Sequence, residues 1–420
     1  MTLKQRVILG FLILVTAILF GYLLYRFFFK PTPAPVLPPI VPPEEAAVRP
    51  TLPPGAPLPP TVILPPAVEA PPAVEAPIPP TIAPLAPRPT AMAVGGITQT
   101  TVLDATINSF VSLSPNKTTL LTYNNAEGKF FYLEPNGDKS SISEKNFPNV
   151  SSAAWSPTQE QAILEFPDGS NIFYDFTTDT QVTLPKHWQE FAFSSTGDQV
   201  SFKSYGLDRE NRWLAVASPD GSNAEILESL GENGDRVQVG WSPNNQVVAT
   251  FTESTRLDRQ ELFFVGLNGE NFQKISLPGR NFVGQWSPQG NKILFSVTNQ
   301  EDEFKPRLWV VDWGGEQTGD NRFDLGLMTW ADKCTWTTNF TVYCAVPTRV
   351  DRGVGLSRTV HDGQGVPDFI YRLDLVTGSQ ELIARPENDL VISQLIVSED
   401  QNYLYLVDRQ FGSVQRINLR

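Results

Sequence analysis

Histidine is scarce: the 420 residues contain two, His187 and His361. A Ser-His-Asp arrangement would need one of them, and no G-x-S-x-G elbow occurs to accompany it. His187 stands in "LPKHWQE" and reads as a surface or packing residue. His361, in "RTVHDGQGVPD", has only Asp362 beside it to orient it. Cysteine is equally scarce, with Cys334 and Cys344 alone, so no His/Cys cluster has metal-ligand spacing. The loop "DWGGEQTGDNRFD" (312–324) is rich in oxygen ligands but misses the calcium-loop spacing, and reads as solvated. No glycine-rich loop follows a strand and opens a helix, which removes the usual phosphate cradle. Neither a metal nor a cofactor is expected, and the chain does not read as an enzyme. Positive charge is also short, 32 Lys and Arg against 45 Asp and Glu, a net charge of −13. Such a surface repels phosphate backbones, so nucleic acid is not a partner.

Proline is in excess, and unevenly placed. Of 37 prolines, 23 lie between Pro31 and Pro89, interleaved with Ala, Val, Leu and Ile, and "PPAVEA" occurs twice in succession. Residues 31–94 therefore read as a disordered, extended polyproline stalk, with the folded domain spanning 95–420. Ahead of the stalk, Val7 to Tyr25 is nineteen residues without a charge. As a helix it would span roughly 29 Å, close to the hydrocarbon thickness of a bilayer. The run is long for a cleaved signal and lacks a small-residue cleavage site, so residues 1–30 read as a short cytoplasmic tail and a transmembrane signal anchor. The expectation is a single-pass protein of the cell membrane, anchored through residues 7–25, with its C-terminal domain extracytoplasmic.

What the domain has in abundance is one phrase. "VSLSPNKTTLLTY" (111–123), "AAWSPTQEQAILEF" (153–166), "FAFSSTGDQVSF" (191–202), "VGWSPNNQVVATF" (239–251), "GQWSPQGNKILFSV" (284–297), "CTWTTNFTVYCAV" (334–346) and "LIVSEDQNYLYLV" (395–407) are seven copies of a strand, a turn and a strand. Each of the first six is followed by an aromatic, β-branched strand running into a glycine turn, as in "KFFYLEPNG" and "LWVVDWGGE". A period near 40–50 residues with four short strands is the signature of a propeller blade. The fold class is thus all-β, a seven-bladed β-propeller, with six or eight blades as alternatives. The seventh copy ends after its third strand. "ITQTTVLDATI" (97–107), which has no hairpin of its own, is expected to supply the missing fourth strand and close the ring. Trp155, Phe193, Trp241, Trp286 and Trp336 precede the turns, where bulky apolar side chains wedge between blades. They are read as structural.

The "WSPQG…ILF" strand followed by "LWVVDWGG" resembles the repeat of TolB-like, WD-repeat-like bacterial propellers, and that of the propeller domain of prolyl-oligopeptidase relatives. The resemblance covers roughly residues 97–420, most strongly in blades 2, 4 and 5. It specifies fold better than function. The peptidase relatives carry an added hydrolase domain for which this chain leaves no room. The TolB-like comparison implies an extracytoplasmic scaffold that binds envelope proteins.

Cys334 and Cys344 flank the inner turn of blade 6, where the two strands of a hairpin can bring them face to face. A disulfide there fits an oxidising compartment. Between inner and outer hairpins, blades 3 to 6 carry the insertions "YGLDREN" (205–211), "ESTRLDRQ" (253–260), "NQEDEFKP" (299–306) and "PTRVDRGVGLSRTVHDGQGVPD" (347–368). These join equivalent strands, so they emerge on one face of the ring. They hold Arg209, Arg256, Arg259, Arg349, Arg352 and Arg358, with His361, which makes this loop face the expected binding surface for a protein partner in the cell envelope. The alternative reading is a propeller enzyme acting on peptide or polysaccharide through carboxylates lining the central channel.

Overall fold

The computed structural model of the protein describes residues 88–356 and 365–420. The apolar run 7–25, the stretch 31–87, Arg358 and His361 lie outside the described residues. Among the described residues no helix is long and apolar enough to cross a membrane. The helical content there is confined to short 3-10 turns, and seven sheets succeed one another along the chain. In each blade, four strands run from the channel outward by antiparallel pairing. The inner strands are Asn108–Leu113, Ser152–Trp155, Trp188–Phe193, Val237–Val239, Arg280–Trp286, Cys334–Thr338 and Ile392–Val397.

The repeated serine is a hinge pin rather than a nucleophile. Ser242 is fully buried. Its N–H donates to the Val247 carbonyl at 2.9 Å, and its hydroxyl oxygen accepts the Val247 N–H at 2.9 Å. Ser287 does the same with Lys292, at 2.9 and 3.1 Å, and Ser398 with Tyr403, at 3.0 Å each. A short hydroxyl side chain is needed because the turn leaves one buried N–H that only a nearby side-chain oxygen can reach.

The residues before the turns pack between blades. Trp155 of blade 2 sets its ring 5.2 Å from Phe130 of blade 1, edge-on, and its indole N–H donates to the Phe110 carbonyl at 3.1 Å. Trp241 of blade 4 donates likewise to Ala192 of blade 3 at 3.1 Å. Trp286 of blade 5 lies 5.9 Å from Phe264 of blade 4, Phe193 packs with Ile163 of blade 2, and buried Trp336 packs with Leu294 and Val310 of blade 5. Each aromatic thus joins one blade to its neighbour, which requires bulk and a single donor at most.

The ring closes through the segment before blade 1. Thr101–Asp104 pairs antiparallel with Val414–Asn418 as the fourth strand of blade 7. Leu103 is buried in a cluster with Val111 and Leu120 of blade 1 and Tyr405 and Val414 of blade 7. The first half of the segment does something else: Ile97–Thr98 adds a fifth, parallel strand to the outer edge of blade 6. Bonding extends upstream, where the Ala93 N–H donates to the Asn418 carbonyl at 2.9 Å and the Thr90 N–H to Ile97 at 2.8 Å. Cys334 and Cys344 stand directly opposite each other on the first two strands of blade 6 and form a buried disulfide.

Blade 4 departs from the pattern. Residues 253–260, loop-like in sequence, continue the sheet: Val247–Arg256 and Arg259–Gly266 form one long hairpin with Leu257 and Asp258 at its tip. Glu253, Thr255 and their neighbours are polar, but as an exposed hairpin end they need only satisfy one another's backbone. The fourth strand, Ile275–Leu277, pairs with Gln260–Leu262 near that tip, beside the extension.

Candidate functional site

The connections between second and third strands emerge on one rim of the ring. In blade 6 this connection folds back onto blade 5 through the 3-10 turn Val354–Leu356. The Gly353 N–H donates to the Glu303 carbonyl at 2.8 Å and the Gly355 N–H to Phe304 at 2.9 Å. The Asn281 side chain donates to the Gly355 carbonyl at 2.8 Å. A Cβ on Gly355 would collide with the Thr298 methyl and sit 2.7 Å from the Phe304 carbonyl, so this docking needs glycine. The fold-back leaves a cleft of about 390 Å³ between blades 4, 5 and 6, lined by Leu257, Asp258, Arg280, Asn281, Phe304 and Leu356. Leu257 is 84% exposed and Leu356 61%, so the cleft has apolar lips.

Of the arginines, Arg256 and Arg259 face each other at the exposed end of the blade 4 hairpin, next to Leu257. Arg280, not singled out by the sequence because it opens an inner strand rather than a loop, lies in the cleft wall. These three make no ion pair among the described residues. Arg209 sits apart on blade 3 and is paired with Glu232, while Arg349 pairs within its own loop with Asp351 at 3.1 Å. Lys305, and Arg352 more distantly, hold the Glu303 carboxyl below its ordinary range. The loop face therefore resolves into a smaller patch at blades 4 to 6, with neutralised pairs on either side.

The inner strands carry few acidic residues. Glu190 is the only acidic residue on the seven inner strands. Its backbone is left-handed, φ 56°, at a bulge in the strand. Its carboxylate meets the buried Lys203 ammonium at 2.6 Å, and its N–H donates to a Glu165 oxygen at 3.2 Å. Burial, reinforced by the Glu190 charge, lifts the Glu165 carboxyl above the usual carboxylate range, although backbone N–H bonds oppose the shift. A buried ion pair, Lys333 with Asp368 at 2.6 Å, is tied to blade 7 by the Ile392 N–H at 2.7 Å. His187 lies in the connection into blade 3, where its carbonyl accepts the Tyr205 N–H at 2.7 Å. No group of three or more His, Cys, Asp or Glu among the described residues is arranged to hold a metal ion.

By sheet number and topology the protein is a seven-bladed β-propeller. No family model and no curated protein matches the chain. Solved structures share its fold. An oligogalacturonate lyase in complex with manganese is 12% identical over 75% of this chain and 90% of that one, with a TM-score of 0.51. Hydrazine synthase of Kuenenia stuttgartiensis is 12% identical over 80% of this chain and 98% of that one, with a TM-score of 0.50. The β-propeller domain of Cps50 (Swd1) of Myceliophteria thermophila is 10% identical over 76% of this chain and 100% of that one, at 0.49. At these identities the likeness is one of fold, shared by proteins of different activities.

Proposed function

We propose that this chain is a membrane-anchored, extracytoplasmic propeller of TolB-like type that binds a protein partner in the cell envelope and scaffolds it without catalysis. The carrying observation is the convergence of three elaborated loops on one cleft, with Leu257 and Leu356 exposed at its lips and Arg256, Arg259 and Arg280 around it. Exposed apolar residues beside arginine forks are what a partner buries as hot spots. Export is supported by the uncharged run 7–25, the proline-rich stretch after it and the Cys334–Cys344 disulfide. The test is crosslinking from intact membranes carrying the full chain. Arg256→Ala, Arg259→Ala and Arg280→Ala together should abolish capture of the partner and leave the melting temperature unchanged. Capture by that triple variant would move the site off this rim. Protease added to spheroplasts should digest the propeller, and survival until lysis would reverse the orientation.

A second reading, an enzyme acting on peptide or polysaccharide, is favoured by one observation. Glu165 and Glu190 are adjacent residues of blades 2 and 3: burial raises the Glu165 carboxyl, and the Glu190 carboxylate lies 2.6 Å from the Lys203 ammonium. A carboxyl raised by burial is the kind of group that serves as a general acid. Glu165→Gln should then abolish any hydrolysis the full chain displays, and hydrolysis unaffected by it would dismiss the pair.

A further inference from the structure

The outer side of blade 4 is incomplete. In blade 3 the fourth strand, Glu225–Ser229, covers the third from Trp213 to Val216. In blade 5 the third strand is covered to its end, with the Asp312 N–H reaching the Asp320 carbonyl at 3.0 Å. In blade 4 the fourth strand covers the third only as far as Leu262, and Phe263–Gly266 has no backbone hydrogen bond on its outer side among the described residues. The connection 267–274 departs toward blade 5, where Phe272 packs 5.3 Å from Trp313. The open edge points outward from the ring, and the face of it that carries Phe263 and Val265 is turned to blade 3. Between the two lies a cavity of about 300 Å³ lined by Leu227, Leu230, Phe251, Phe263 and Val265, with Glu228 and Glu270 at its rim.

We propose that this edge receives an extended peptide of a partner protein, which completes blade 4 as an added strand. Three features define the occupant. Unpaired backbone groups on alternate residues of Phe263–Gly266 require an extended backbone to complement them, as in strand addition to sheet edges. The cavity, at the low end of ligand-sized volumes of about 300–1,000 Å³, takes the apolar side chains of alternate peptide residues. Glu228 is exposed on the outer strand of blade 3 and Glu270 stands across from it, so the flanking peptide residues are lysine or arginine. A proline at a donating position is excluded, since it has no N–H to give. The edge is separate from the loop-rim cleft and does not depend on that cleft's role.

The experiment is hydrogen–deuterium exchange on the full chain in detergent, with the probe peptide acetyl-Lys-Val-Thr-Val-Lys-amide. Without peptide, the outward amides of 263–266 should exchange freely. Saturating peptide should slow them about tenfold, whereas the same peptide N-methylated at alternate residues should not. Glu228→Lys, on an exposed side chain that no fold contact uses, should weaken binding about fivefold. Unchanged exchange with the probe, equal protection by the methylated peptide, or full affinity in Glu228→Lys would each overturn the proposal.

Discussion

Removing the residues ahead of blade 1 is the sharpest perturbation of this ring, because those residues act on its last two blades. A chain beginning at Ile107 loses Leu103 from the cluster that joins blades 7 and 1. Burial of one such leucine is worth about 2–5 kcal/mol. It also loses the pairing of Thr101, Val102 and Asp104 with Arg416, Gln415 and Val414, at about 1 kcal/mol net per backbone bond. Asp104 is buried, and its carboxylate bonds to Lys139 of blade 1 at 2.8 Å. Removing it leaves that lysine with the more distant Glu127 carboxylate, at 3.9 Å, as its ion-pair partner. Upstream, the fully buried Thr98 and the bonds of Ala93, Gly95 and Arg385 go too. The total is about 6 kcal/mol or more, comparable with the whole stability of a domain. A chain beginning at Gly95 keeps the closing strand but loses the Thr90 and Ala93 bonds, a cost of about 1–2 kcal/mol. One beginning at Arg88 should match the full chain. Urea unfolding followed by tryptophan fluorescence reads the series. With a slope of about 3 kcal/mol/M, the Ile107 chain should unfold roughly 2 M earlier, if it folds at all. Equal midpoints for the Arg88 and Ile107 chains would refute closure by this strand.

The closure is also pH-sensitive with a definite sign. Burial raises the Asp104 carboxyl, but its bonds to Lys139 and Thr106 outweigh that and leave it below the ordinary value. Its contribution is therefore complete above about pH 4, the unfolded value, and disappears as pH falls through the lower folded one. Asp104→Asn should flatten that part of the acid limb of urea stability, and an identical limb would count against the assignment. Trp241→Ala, which empties a blade interface and frees the Ala192 carbonyl, should cost about 3 kcal/mol and about 4 °C in melting temperature. Ser242→Ala leaves the Val247 N–H without its hydroxyl oxygen, at about 1–2 kcal/mol by thermal melting, and no loss would mean the hydroxyl is idle. Replacing Cys334 and Cys344 by alanine opens a bridge spanning a sequence separation of 10 and should cost about 2–3 kcal/mol. A melting temperature indifferent to reductant would contradict the bridge.

What the sequence discloses is what short-range chemistry encodes. Seven hairpin turns and the glycine turns between them repeat because each hairpin must solve the same local problem, so blade number and strand order are readable. Cys334 and Cys344 are readable as a pair for the same reason, since a hairpin places them opposite each other. The purpose of the serine is not, because its partner is a buried N–H five residues on that only the folded turn leaves stranded. "ESTRLDRQ" misleads because charge and polarity resemble a loop, although its backbone pairs with the regularity of a core strand over most of its length. The Glu165–Glu190 contact joins adjacent blades at a bulge, and Ile97–Thr98 is too short to announce a parallel partner in blade 6. Such contacts depend on where the ring brings distant segments together.

Blade 4 shows how one local elongation has consequences at two ends of a sheet. Its hairpin, Val247–Arg256 and Arg259–Gly266, is longer than those of its neighbours and lifts Leu257 and Asp258 into the rim cleft. The fourth strand pairs beside that extension, at Gln260–Leu262, where the third strand has new edge to offer. Three residues cannot also cover Phe263–Gly266, about 13 Å of strand. Phe272 meanwhile anchors the connection on Trp313, whose burial against Phe264 and Trp286 stabilises the boundary with blade 5. The rim cleft and the open edge thus arise from the same hairpin, one at its tip and one at its base. Shortening that hairpin to the length found in blade 2 would be felt at both.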